Sequence, residues 1–337
     1  MQHSNGAGEQ HGVVAIGASA GGVEAISRLV AGLSTDLPYA YLITLHMPAA
    51  APSVLAQIVD RRGPLPAVTA ASGAKLEPAH IYVAAPDHHL LVADHATLLS
   101  HGPTENGHRP SINALFRSVA LTFGPRAIGI LLSGVLDDGV LGLQAIRARG
   151  GITIGQTPDD AMFPALPTNA ANAGVLDRQV NAADVGTLLK ELAQREIHDP
   201  DDEPDARLEL ENRIAMAPAF ATGPDAQTLG PASGYTCPDC NGSLATLEDM
   251  GFRCRVGHAW SPESLLAARD AEAETALWVA LRSLQEKAKL ARQLADRTDF
   301  GVSSHRYTVI AEETERALAV LSARLAAADD RHVANGD

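Results

Sequence analysis

Gly17-Ala18-Ser19-Ala20-Gly21 fits G-x-S-x-G, the signature of a strand-to-helix turn that lifts a serine hydroxyl clear of a sheet. Such a turn needs small neighbours, because the serine backbone is strained and Oγ must project above the strand ends. The helix that follows aims its first N–H groups at the same space, so Ala20 N–H would donate to an oxyanion forming there. Two other readings fit the same residues. The glycines serve a tight turn without chemistry, and Gly17, Ser19 and Gly22 occupy the three glycine positions of G-x-G-x-x-G, a phosphate-binding loop. A dinucleotide site would then need an acidic residue at the end of the second strand to hold the ribose. That position is His46, the base that a serine hydrolase requires. A third apolar run leads into Ser133-Gly134-Val135-Leu136-Asp137-Asp138-Gly139, where Asp138 would orient the imidazole and stabilise its charged form. Capping the next helix is the competing role, for Asp137 first and for Asp138 second.

A second constellation lies far downstream. The three cysteines fall at Cys237, Cys240 and Cys254, with His258 close behind. Their odd number and clustering argue against a disulfide framework and for metal. A C-x-x-C pair and a Cys/His pair, separated by a hairpin-length segment, can close a tetrahedron, and so small a unit has little core of its own. A structural zinc on Cys237, Cys240, Cys254 and His258 is expected, with all four positions filled by protein. The redox reading of C-x-x-C lacks its βαβ context here.

The first constellation needs strands that end together. VVAIG at 13–17 is apolar throughout, as a strand buried on both faces should be, and Val23, Ile26, Leu29, Val30 and Leu33 then recur at helical spacing. The couplet repeats: YLITLH at 41–46 precedes a helix at 52–62, IYVAA at 81–85 precedes the hairpin HLLVADHATLLSH, and SINALFRSVALTFG reads as a helix. AIGILLSG, VLGLQAIRARG and GITIGQ continue as strand, helix and strand. Alternation of this kind predicts an α/β domain with a doubly wound, mostly parallel sheet of Rossmann-like type. A helix at 182–196 closes it, and the acidic, proline-rich HDPDDEPD opens a linker. After a zinc-ribbon-like unit, Leu277, Leu281, Leu284, Ala288, Ala291 and Ala295 form a heptad-like stripe. Ile310, Thr314, Ala317, Leu321 and Leu325 form a second, so a helical hairpin is expected.

Forty acidic against 26 basic residues give a net charge of −14, which repels a polyanion and sets nucleic acid aside as a partner. No apolar run is long enough to span a bilayer, and the polar start MQHSNGAGEQHG lacks the regions of a signal peptide. Cytoplasmic residence without membrane insertion is the expectation.

GASAGGVEAI, LHMP, LEPAHIYVAAPDHHL, GHRPSINALFRSVA, LLSGVLDDGVLGLQAI and GGITIGQTPDDAMFPALPTNA resemble, in order, the catalytic domain of the bacterial chemotaxis protein-glutamate methylesterases, over about residues 12 to 195. The resemblance implies Ser19 as nucleophile, His46 as base and Asp138 as its orienting acid, in a chain order unlike the usual Ser, Asp, His of α/β-hydrolases. It implies hydrolysis of glutamate γ-methyl esters on a methylated chemoreceptor or related signalling protein, with glutamine deamidation as a second activity and no cofactor for catalysis. Ser133-Gly134-Val135-Leu136 stands where the family has Thr-Gly-Met-Gly, and the second oxyanion donor falls on Val135 N–H. Asn113 stands where the family has Asp. Family members typically carry a receiver domain ahead of the esterase; here the esterase pattern begins near residue 12, and a chain without a receiver is expected. The segment from YTCPDC to ALWVALRSLQEKAKLA resembles a C-terminal extension of some methylesterase homologues.

The expected organisation is a disordered 1–11, a catalytic domain at 12–195, a linker at 196–234, a Cys3His unit at 235–262, a helical hairpin at 263–328 and a disordered tail at 329–337. The alternative to an enzyme is a signalling scaffold whose zinc unit and C-terminal helices bind a partner. All of Ser19, His46 and Asp138 being present favours the enzyme.

Overall fold

The structure is a computed structural model that describes residues 12–50, 52–197, 205–216, 230–247, 251–297 and 302–334. The stretch 1–11 lies outside the described residues, as do 335–337 of the tail expected to be disordered; 329–334 continue a helix instead.

The first half alternates strand and helix as its pattern demands. β1 (Gly12–Ala18), α1 (Gly22–Ala31), β2 (Tyr39–Leu45), α2 (Leu55–Arg62), β3 (Ala67–Thr69) and β4 (Ile81–Val83) are followed by a hairpin of β5 (His89–Ala93) and β6 (Ala96–Ser100). α3 (Ile112–Phe123), β7 (Ala127–Leu131), α4 (Val140–Ala148), β8 (Ile152–Gln156), α5 (Ala165–Asn172), β9 (Arg178–Val180) and α6 (Val185–Leu192) complete it. The main sheet has seven strands in the order β3-β4-β2-β1-β7-β8-β9, and every pairing in it is parallel.

Because successive side chains point to opposite faces, β1 serves two cores. Val14, Ile16 and Ala18 face α1, α2 and α6 through Ile26, Leu29, Val59 and Val185. Val13 and Ala15 face α3, α4 and α5 through Ile112, Phe116, Ile146 and Leu166. α3 is the central helix of the second face. It is buried from Ile112 to Ala120 and begins at an N-cap, Ser111, whose Oγ accepts from Ala114 N at 3.4 Å. α4 crosses it so closely that a Cβ on Gly142 would lie 2.6 Å from Phe116 Cβ. Truncating Phe116 would cost about 3–5 kcal/mol at such a site.

The strand order reverses between β1 and β7: chain leaving β1 moves to β2, chain leaving β7 moves to β8. Loops at the carboxyl ends of these strands part there, opening the crevice in which ligands of open parallel sheets bind.

Within the stretch read as a linker, α7 (Ala206–Met216) packs Ile214 and Ala215 inward, and Ala215 O accepts from Ser100 Oγ at 2.7 Å. A four-stranded antiparallel sheet follows, from β10 (Ala232–Thr236) and β11 (Ser243–Thr246) to β12 (Phe252–Cys254) and β13 (Ala259–Trp260). Its two tight turns carry the cysteines and His258. Two long helices end the chain, α8 (Pro262–Arg297) and α9 (Val302–Ala334).

The chain divides into two compact units, Met1–Leu265 and Leu266–Asp337. In the second, Ser304 Oγ donates to Ala295 O at 3.1 Å and Arg292 bridges Glu315 at 2.7 Å, so α9 runs back along α8. The seam is narrower than the expected stripes. Ala288, Ala291, Ala311, Thr314 and Leu325 are buried, whereas Leu277 is 38% exposed. Ala317 is exposed and the half-buried Leu318 takes its place, so the inward residues of α9 are Ala311, Thr314, Leu318, Leu321 and Leu325, spaced alternately by three and four. No helix among the described residues is long and apolar enough to cross a membrane.

Candidate active site

Ser19 is the first residue beyond β1, His46 the first beyond β2, and Asp138 lies in the turn that follows β7. Three adjacent strands thus deliver them to one crevice. His46 Nδ1 lies 3.0 Å from Ser19 Oγ, and His46 Nε2 lies 2.7 Å from Asp138 Oδ2. Ser19 and His46 line an open cleft of about 1150 Å³, which Arg61 and Arg62 also line, while Asp138 is buried behind His46.

The serine turn is held by backbone. Ser19 N donates to Ser133 O at 2.9 Å, tying the turn after β1 to the turn after β7. The buried Ser133 hydroxyl donates to Ala20 O at 2.8 Å and accepts from Phe163 N at 3.0 Å, while Ser133 N donates to Gln156 Oε1 at 2.8 Å. Gly21 has φ of 69°, a conformation that favours glycine, and a Cβ there would lie 2.7 Å from Ser133 Oγ. A Cβ on Gly134 would lie 2.9 Å from Ser19 Cβ. The N–H groups of Ala20 and Val135, the expected oxyanion donors, have no hydrogen-bond partner among the described residues and stand on the two turns that flank Ser19.

Asp138 is 2% exposed and richly solvated by protein. Besides His46, its Oδ2 accepts from Ile112 N at 2.7 Å; Oδ1 accepts from Ser111 Oγ at 3.0 Å and Asn113 N at 3.3 Å. Burial alone would raise this carboxyl. The hydrogen bond and charge of His46, the neighbouring His108 and the N–H of Ile112 outweigh it and bring the group down to about 2. His46 above all, with the start of α3 adding to it, therefore keeps Asp138 ionised.

Asp137 does not cap α4. Its Oδ1 accepts from the hydroxyls of Ser261 and Ser264 at 2.7 and 2.9 Å, and burial pushes its carboxyl up despite those bonds. The capping is done from another helix: Asn113 Oδ1 accepts from Gly139 N at 2.9 Å and Gly142 N at 2.8 Å. An aspartate there would bring a second charge next to Asp138, so the amide matches its surroundings.

Sequence reasoning missed His108. Its ring stacks on His46 with centroids 3.7 Å apart and planes 15° from parallel. Asn106 and Gly107, with φ of 52° and 74°, form a two-residue turn in which Glu105 and His108 exchange both backbone hydrogen bonds. Asn-Gly is the strongest short turn signal, and it preceded this histidine. Burial, then the charge of His46, lowers the His108 imidazole to about 4. Val23, read as part of the core stripe of α1, is 42% exposed and lines the cleft.

The family model for CheB methylesterase matches residues 14–189. The chain belongs to the CheB methylesterase family. Among curated members, protein-glutamate methylesterase/protein-glutamine glutaminase 4 of Geobacter metallireducens is 36% identical over 182 residues, 53% of this chain and 52% of its own length. The enzyme numbered 1 of Caulobacter vibrioides is 37% identical over 185 residues, 54% of each chain. The chain thus spans about half the length of the curated relatives it matches. The crystal structure of the Thermotoga maritima CheB methylesterase catalytic domain shares the fold with a TM-score of 0.52 at 24% identity, covering 54% of this chain and 98% of that one.

Outside the matched region, Cys237, Cys240, Cys254 and His258 offer four ligand atoms that all lie within 4.8 Å of one another. Cys240 and Cys254 Sγ are 3.7 Å apart, and His258 Nδ1 lies 3.6 and 3.5 Å from Cys237 and Cys254 Sγ. Tetrahedral bonds of about 2.3 Å to sulfur and 2.0 Å to nitrogen require edges of about 3.8 and 3.5 Å. The four residues fit a metal ion of that size.

Proposed function

We propose that the chain is a protein-glutamate methylesterase acting in the cytoplasm on methylated chemoreceptors or related signalling proteins. The observation that supports it is the unbroken chain Ser19 Oγ, His46 Nδ1, His46 Nε2, Asp138 Oδ2, with separations of 3.0 and 2.7 Å. Nε2–H donates to the ionised Asp138, which leaves the Nδ1 lone pair for the serine proton. Ser19 attacks the γ-carbonyl of a glutamate methyl ester as Nδ1 takes its proton. Negative charge moves to the carbonyl oxygen, where the N–H groups of Ala20 and Val135 receive it. Collapse expels methoxide, which leaves as methanol with the proton from Nδ1. Water, deprotonated by the same nitrogen, then resolves the acyl-enzyme to glutamate. A glutamine side chain would follow the same course and release ammonia. Arg61 and Arg62 give the cleft a cationic wall that suits a substrate segment rich in glutamate.

In the Cys3His unit, zinc on Cys237, Cys240, Cys254 and His258 would tie two turns together and take no part in hydrolysis. The deciding experiment is methanol release from a methylated receptor fragment. Wild type should release it and Ser19→Ala should not; comparable release by both would reject the reading.

A further inference from the structure

The turn 134–138, which carries Val135 and Asp138, is gripped on one side by the catalytic fold and on the other by residues that follow the Cys3His turn. Ser261 and Ser264 both hydrogen-bond Asp137, next to Asp138. Asn169 Nδ2 donates to Leu136 O at 2.9 Å and to Glu263 Oε2 at 3.0 Å, which adds a second hold on the same turn. Ser261 is well placed for this, because its Oγ also accepts from Ser264 N at 3.1 Å and so caps α8 at Pro262.

The same segment holds the loop that bears His108. Asn106 is 7% exposed; its N donates to Ala259 O at 2.8 Å, and its Oδ1 accepts from Ser261 N at 2.8 Å. Its Nδ2 turns to Asp138 Oδ1 at 3.5 Å. The Trp260 ring covers Gly107. Behind this contact lies a buried ion network: Arg253, 1% exposed, pairs with Glu211, and Arg117 pairs with Glu105.

Ser261 stands three residues after His258. The turn before it is fixed by Cys254 N to His258 O at 3.0 Å and Gly257 N to Cys254 O at 3.0 Å, within a unit whose own apolar core is small. Two of the four candidate ligands, Cys254 and His258, thus stand on the turn from which β13 and Ser261 reach the catalytic loops, and a metal held there would brace it.

We infer that the Cys3His unit is a built-in support of the active site, in which Ser261, Ser264 and Asn106 are positioning residues for Asp138 and His46, and that metal loading governs how fast Ser19 reacts. The inference rests on the hydrolase reading above. Zinc is the metal to test. Full-length protein is loaded with zinc, stripped with a chelator under reducing conditions and reloaded. Two signals are followed: the rate at which a fluorophosphonate labels Ser19, and hydrogen exchange of the backbone at 105–108 and 134–138. Stripping should slow labelling about tenfold or more and raise exchange at both segments, and reloading should restore both. The double variant Ser261→Ala/Ser264→Ala should keep its zinc yet lose about five- to tenfold in kcat on a small ester with KM unchanged, and Ser261→Thr/Ser264→Thr should recover most of it. Zinc-loaded protein that never labels at Ser19 sinks the hydrolase reading and this inference together. Labelling that is fast with or without zinc overturns the inference alone, as does a chain that takes up no zinc or a double alanine variant with wild-type kcat.

Discussion

His108 lies flat on His46, ring centroids 3.7 Å apart, while His46 faces Ser19 through one nitrogen and Asp138 through the other. The stack closes one face of the imidazole to water and limits its rotation to the plane in which both hydrogen bonds form. His108→Ala removes that wall. A misplacement of about 1 Å at a reacting group costs about a hundredfold, so kcat for a small ester should fall between ten- and a hundredfold. His108→Phe keeps the flat face and should restore most of the rate, which separates packing from proton chemistry. Steady-state kinetics of the two variants decides it.

The same residue makes a prediction about acid. His108 sits at about 4, below the ordinary value of about 6.5. In that interval the unfolded chain binds a proton that the folded chain refuses, so stability must fall as pH drops from about 6.5 to about 4, by up to about 3 kcal/mol. Asp138, held at about 2, adds a loss at lower pH, between about 4 and about 2. Urea unfolding at pH 7 and pH 4.5 should show the first loss in wild type and a smaller one in His108→Phe, in which the buried His89, also pushed down by its burial, keeps its own share.

Ser19 and His46 act as one unit, and their substitutions should not add. Ser19→Ala and His46→Ala should each lower kcat by about four to six orders of magnitude, and the double variant should be no worse than either by more than about threefold. A double variant slower by the product of both effects would mean that the two residues work independently.

Asn113 is a structural test that touches no substrate. Its amide oxygen takes both the Gly139 and Gly142 N–H groups inside the protein. Asn113→Ala leaves two buried donors without partners, which should cost about 2–4 kcal/mol in urea unfolding. Asn113→Asp keeps the acceptors but brings a charge toward Asp138, and should lose its stability mainly above the pH at which the new carboxyl ionises.

Much of this was legible in the sequence because strong periodicity and short motifs survive translation into structure. The apolar run before Ser19 has the character of a strand buried on both faces, and three such runs led into Ser19, His46 and the Asp137-Asp138 pair. Other parts left no trace. β3 and β9 are three-residue edge strands with mostly exposed side chains, so no apolar alternation announced them. The cap on α4 comes from Asn113, 26 residues before Gly139, and a sequence reads only the caps that lie beside their own helix. The hold of Ser261 and Ser264 on Asp137 spans 124 and 127 residues and could be seen only once both turns met.

Removing the second unit separates catalysis from targeting. The cut belongs after Leu265 rather than before residue 235, because Arg253, Ser261 and Ser264 contact the catalytic fold. In the removed part, Leu277, Trp278 and Val279 are 38%, 48% and 50% exposed on α8, and Val320 is 69% exposed on α9, more apolar surface than a two-helix hairpin needs to leave open. If that surface meets a receptor or signalling partner, protein lacking 266–337 should hydrolyse a small ester within about twofold of the full chain while its kcat/KM on an intact methylated receptor falls about tenfold, the scale of a modest lost contact. Equal ratios on both substrates would remove targeting from the account. A rate on the small ester that rises after the cut would show instead that the helices restrain the cleft.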